Sequence, residues 1–149
     1  MKEKRNRKVY LKRKSQSQPG FFSSFLSYFM LLSWMAVIFF FSSLSGKPTD
    51  GPPPTWYFLE RKGAHVIEYA VLLVLSFHYF SLTFFRERFG RILLLSAGFA
   101  LMYATTDELH QFFVPFRGAK LTDVLIDGGG ILLAVLGILF WRRVRKNRS

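Results

Sequence analysis

Long uncharged apolar stretches alternate with short polar ones along most of this chain. From Phe21 to Ser45, 25 residues pass without an Asp, Glu, Lys, Arg or His, and about 20 apolar residues in a helix cross a bilayer core. Three more apolar stretches follow, over about Ala64 to Phe84, Arg91 to Glu108 and Asp123 to Trp141. The segment "SGKPTDGPPPTWYFLERK" after the first is too rich in Pro and Gly to continue a helix. The link "FRERFG" between the second and third is short, which predicts an antiparallel hairpin. The pattern predicts an all-α, polytopic membrane protein with four transmembrane helices.

Charge sets the expected orientation. The N-terminal run "MKEKRNRKVYLKRK" carries eight Lys and Arg, the Arg86 to Arg91 turn three, and "RRVRKNR" at the other end five. The opposite loops hold only Lys47, Arg61, Lys62, Arg117 and Lys120. Cationic loops resist translocation, so both termini are expected to be cytoplasmic. Residues 1–20 and 142–149 then read as basic tails flanking one membrane domain over 21–141, suited to anionic lipid. The formal charge of +12 would also suit nucleic acid, but its placement at span ends argues for topology signals and no nucleic-acid partner. The first apolar stretch is too long for a signal peptide and lacks an A-x-A-like cleavage site, so it reads as an uncleaved span. With no Cys there are no disulfides and no thiolate metal ligands.

Measured without Asp, Glu, Lys or Arg, the later stretches are short: 17 residues from Tyr69 to Phe85, 15 from Ile92 to Thr106 and 14 from Gly128 to Trp141. Completing each span draws His65, Glu68, Asp107, Asp123 and Asp127 into the bilayer margin, all at the end expected to be extracytoplasmic. At about 100° per residue, His65, Glu68, Tyr69, Leu72 and Ser76 share one face of the second helix. Asp107 and Gln111 share a face of the third with Ala100 and Ala104, flanked by Glu108 and His110. On the fourth, Asp123, Asp127, Gly130, Ala134 and Gly137 form a small-residue stripe that admits close approach of another helix. Ionisable groups within a membrane are costly and face the bundle interior, so this constellation is a candidate site; the alternative is an interhelical network that only holds the helices together. The turn at Pro115 to Gly118 is expected to be reentrant. Glu60, Arg61, Trp56, Tyr57 and Trp141 read as interfacial anchors, and His78, about 220° round the helix from His65, as structural or interfacial.

The stretches "FFFSSLSG", "ERKGAHVIEYAVL" and "DELHQFFVPFRGAKLTDVLIDGGG" together resemble the VanZ-like family of small bacterial membrane proteins, over roughly Phe39 to Gly137. The resemblance implies a four-helix protein of the bacterial plasma membrane. It implies a place in the cell envelope and a link to glycopeptide resistance of the teicoplanin type, but no established reaction. It carries over to Lys62, His65, Glu68, Tyr69, Asp107, Glu108, His110, Gln111, Pro115, Arg117, Asp123, position 127 and Gly130. Where the family usually has Asn, this chain has Asp127, which brings a charge that needs a proton, a cation or a basic partner.

Three functions fit these residues. The first is a site for an envelope lipid or cell-wall precursor, with His65 or His110 as base, Glu68, Asp107, Glu108 and Asp123 as acid, base or ligand, and Lys62 and Arg117 as clamps on a phosphate or carboxylate. Tyr69, Gln111 and Asp127 are expected to complete the binding surface. The i, i+3 pairs His65/Glu68 and Asp107/His110 also leave open a divalent metal such as Zn²⁺ or Mn²⁺. The second is a non-enzymatic scaffold or partner protein. The third, an ion or proton transporter, is disfavoured because the inner halves of the spans offer no acid or base besides His78. Whether the protein is an enzyme, and its oligomeric state, stay open.

Overall fold

The structure, a computed structural model, describes residues 20–45, 55–117 and 121–148, with side chains from 61 onward in the second stretch. Four helices account for nearly all of it: α1 (Phe21–Ser43), α2 (Thr55–Thr83), α3 (Phe89–Gln111) and α4 (Leu121–Asn147). Each contains a segment long and apolar enough to cross a membrane. Among the described residues there is no strand.

Two helices run beyond the apolar stretches. α2 starts at Thr55, directly after the prolines at 52 to 54, so "TWYFLERK" is helix and only the residues before it belong to the Pro-rich connection. A proline ahead of a first turn costs the helix nothing, because the first N–H groups have no intrahelical partner in any case. α4 continues past Trp141 to Asn147, so most of the basic C-terminal tail is helical. Arg145 and Lys146 lie in its last turn, where cations complement the carbonyl end of the helix. Arg142 stacks over the Phe89 ring at 3.9 Å and Arg145 over Trp141 at 4.7 Å.

The short α2–α3 connection is closed by the Glu87 amide donating to the Phe84 carbonyl at 2.8 Å, which turns the two helices antiparallel as its length predicts. α2 packs on all three other helices, whereas α1 and α4 make no contact with each other among the described residues. The core is therefore centred on α2, where Tyr69, Leu72 and Leu73 meet Ala100 and Ala104 of α3, Leu31 and Ile38 of α1, and Ile131 of α4. Large apolar side chains on every helix point outward, as a lipid-facing surface requires.

The expected small-residue stripe on α4 works at one position. A Cβ on Gly130 would sit 2.3 Å from the Val66 carbonyl oxygen of α2, while Gly128, Gly129 and Gly137 have open space around them. The close approach is thus confined to Gly130, one turn inside Asp127, and does not extend along α4 to Gly137. His78 is exposed on the outer face of α2.

After α3 the chain tightens. The amides of Phe113 and Val114 donate to the carbonyls of His110 and Gln111, and Arg117 N–H donates to the Val114 carbonyl at 3.1 Å. Pro115 takes the second position of that last turn and Phe116 the third, at φ 59°. This left-handed geometry is one that such a turn normally gives to Gly. Val114 is buried, whereas Phe112, Phe113 and Phe116 are exposed. Residues 118–120 lie outside the described residues, as do Lys47, Lys120 and the side chains of Trp56, Tyr57 and Glu60.

Candidate functional site

Up-and-down topology brings four segments to one end of the bundle: the last turn of α1, the first membrane turns of α2, the last turns of α3 and the first of α4. Each contributes polar side chains from the face its helical phase turns inward. His65 and Asp127 come from α2 and α4; His65 Nδ1 stands 3.0 Å from Asp127 Oδ1, and Asp127 is only 1% exposed. A carboxylate accepts, so Nδ1 donates, and the ring is held in one tautomer and orientation. The close contact at Gly130 one turn further on sets the α2–α4 spacing that permits this bond.

Asp107 of α3 reaches α1 instead. Ser42 Oγ donates to Asp107 Oδ2 at 2.7 Å, and Gln111 Nε2 donates to the same oxygen at 2.9 Å and to Ser42 Oγ at 3.2 Å. Tyr69, fully buried on α2, has its hydroxyl in the field of both Asp107 and Asp127. That hydroxyl, Asp107 Oδ1 and Asp127 Oδ2 make no well-formed hydrogen bond among the described residues. These three oxygens, from three helices, are hydrogen-bonding capacity held in the interior of one polar cluster.

Other expected members lie around this cluster rather than in it. Lys62 and Asp123 form an ion pair with each other on the α2–α4 side, both largely screened from solvent. Glu108 is buried next to Asp107. His110 turns toward α1, where its ring stacks on Phe39 with centroids 4.6 Å apart and its Nε2 lies 3.0 Å from Ser43 Oγ. Ser43 gives its one hydroxyl proton to the Phe39 carbonyl at 2.7 Å, so His110 Nε2 is the donor in that contact. Asp107 and His110 therefore look to different residues of α1, Ser42 and Ser43. Among the described residues, no three His, Asp or Glu side chains are grouped as metal ligands.

Arg117 closes the end of the bundle. Its Nη1 donates to the Phe41 carbonyl at 3.0 Å and also to the Ser42 carbonyl, placing a cation on the carbonyl end of α1, where the helix dipole favours it. Beneath it a cavity of about 560 Å³ opens between α1 and α2, walled by Arg117, Arg61, His65 and Glu68 and by Phe41, Leu44 and Ile67. This volume lies within the range of small-molecule sites.

Two participants were missed by sequence reasoning. Arg61, which the sequence presents as an interfacial anchor, also lines the cavity. Ser42 went unassigned within an apolar segment, yet it holds Asp107. The available signal for Ser42 was its level: it ends α1 at the same bundle end as the acids.

Four membrane-length helices with a polar cluster embedded at one end define a small multi-pass membrane protein whose cluster acids are arranged between helices. The chain belongs to the VanZ/LLP1 family, whose model matches residues 25–142, and is a multi-pass protein of the plasma membrane. Comparisons with curated proteins and with solved structures find no match.

Proposed function

We propose that this protein binds an amphiphilic molecule of the cell envelope, a lipid or a lipid-linked cell-wall precursor, at the extracytoplasmic end of its bundle, and that it contributes in this way to glycopeptide resistance of the teicoplanin type. One observation carries the reading. The cavity bordered by His65, Glu68, Arg61 and Arg117 shares its wall with Phe41, Leu44 and Ile67, apolar residues that also face outward. A site with a polar floor and an apolar side suits a ligand with a polar head and an apolar tail. His65, oriented through Nδ1 by Asp127, presents Nε2 as the ring atom that can accept a proton, which is what a general base requires. Family membership supports the link to resistance at the coarser level of a VanZ-like membrane protein.

Single replacements of His65, Glu68, Asp107 and Arg61, scored for membrane insertion, folded yield and teicoplanin susceptibility, test the reading. Folded but inactive variants support a site. Lipid extracts and cell-wall fragments from cells with and without the protein then separate catalysis, which accumulates a product, from binding, which does not. A second reading is a purely architectural network, favoured because Ser42–Asp107 and His65–Asp127 each join two helices. It predicts that loss of phenotype tracks loss of folded protein in every variant.

A further inference from the structure

Lys62 with Asp123, and Asp107 with Gln111, lie behind the cavity wall. The wall itself presents two guanidiniums, Arg61 from α2 and Arg117 from the α3–α4 connection, beside the carboxylate of Glu68 and the His65 ring that Asp127 holds. Arg117 is fixed by two backbone carbonyls of α1, so its plane is set before any ligand arrives. Two cationic forks from different elements match an anion with oxygens in several directions. A tetrahedral phosphate has them, whereas a carboxylate presents two oxygens in one plane.

The apolar part of the wall indicates what the phosphate is attached to. Leu44 and Ile67 border the cavity and are 48% and 63% exposed on the outer surface, so the cavity opens sideways between α1 and α2 at membrane depth. A water-soluble phosphate would gain nothing from that opening. Glu68, an acceptor beside the two arginines, complements a hydroxyl or ammonium group next to the phosphate.

We infer that the ligand is a phosphate-bearing lipid: Arg61 and Arg117 hold the phosphate, Glu68 accepts from a headgroup hydroxyl or amine, and the chains leave past Leu44 and Ile67 into the bilayer. The assignment rests on the amphiphile-binding reading above and names its chemical class. It also replaces the Lys62–Arg117 clamp expected from sequence with an Arg61–Arg117 clamp, since Arg61 and Arg117 border the cavity whereas Lys62 turns to Asp123.

Purified full-length protein in a maltoside micelle is titrated with dihexanoyl phosphatidylglycerol, with dihexanoylglycerol and with inorganic phosphate, and retention is read by native mass spectrometry. The phosphatidylglycerol is expected to bind roughly tenfold or more tightly than dihexanoylglycerol, as a charge-assisted pair contributes. Arg61→Ala is expected to remove that difference without changing dihexanoylglycerol binding. Equal affinity for the two lipids, or no effect of Arg61→Ala, overturns the phosphate assignment; inorganic phosphate binding as tightly as the lipid overturns the lipid. Ala64→Trp, which fills the cavity from its α2 wall, separates the two levels. If it blocks both lipids while Arg61→Ala has no effect, only the phosphate assignment falls. If lipid binding survives Ala64→Trp, the cavity is not the site and the preceding reading falls with it.

Discussion

Ser42 and Asp107 are 65 positions apart in sequence and joined by a 2.7 Å hydrogen bond in which the serine hydroxyl donates to the carboxylate. The bond ties the last turn of α1 to the last turns of α3, and Gln111 completes it as a three-member network. Ser42→Ala removes one of the two donors on Asp107 Oδ2 and is expected to destabilise the fold by about 1–2 kcal/mol. The measurement is an SDS-titration unfolding curve. Combined with Gln111→Ala, the effects should depart from additivity, because both donors serve one oxygen. Strict additivity would remove the network.

Asp127 distinguishes charge from hydrogen bonding. Asp127→Asn retains an oxygen that can accept from His65 Nδ1, so the variant should insert and unfold like the parent. Asp127→Ala leaves a buried imidazole N–H without its acceptor, a loss of about 1–3 kcal/mol. If Asn and Ala destabilise equally, the negative charge and not the acceptor holds α4 to α2.

Gly130→Ala places a methyl 2.3 Å from the Val66 carbonyl, a backbone atom that cannot turn aside. Separation of α2 and α4 is expected to cost about 2 kcal/mol or more and to lengthen the His65–Asp127 bond. Gly137→Ala, with open space around it, is the matched control and should be nearly neutral. Thermal unfolding of the two variants side by side decides the point.

Phe116 sits at φ 59° in the turn that presents Arg117. A left-handed bulky residue carries a strain of about 1 kcal/mol, and the ring itself is exposed, so Phe116→Gly should raise the melting temperature and Phe116→Val should lower it. If both lower it, the ring's contacts outweigh the backbone.

Orientation is open to a direct test. Reporters fused after Lys14, within the Pro-rich connection and near Lys120 should report the first inside and the other two outside. The reverse pattern would place the polar cluster on the cytoplasmic side.

Much of this arrangement was legible in the sequence, for a definable reason. Helical phase fixes which face a residue occupies, and the stripes through His65, Asp107 and Asp127 face inward as the periodicity requires, the last of them as far as Ala134. Phase does not fix the axial level of one helix against the next, and partner choice depends on that level. So His110, which the sequence grouped with Asp107, stacks on Phe39, and Lys62, expected beside Arg117, is taken by Asp123. Ser42 and Arg61 escaped for related reasons. A serine in an apolar helix looks like tolerated background until an acid arrives opposite it, and an arginine at a span margin looks like an anchor until a cavity opens beside it. Gly137 shared the phase of Gly130, but helices that cross approach closely over a limited length.

The two inner polar links are interleaved along the chain: Ser42 of α1 meets Asp107 of α3, and His65 of α2 meets Asp127 of α4. Neither can form between neighbours in order of synthesis. A chain stopped after α3 would therefore leave His65 without the Asp127 oxygen that its Nδ1 meets, so the polar cluster is complete only once the last helix is in place.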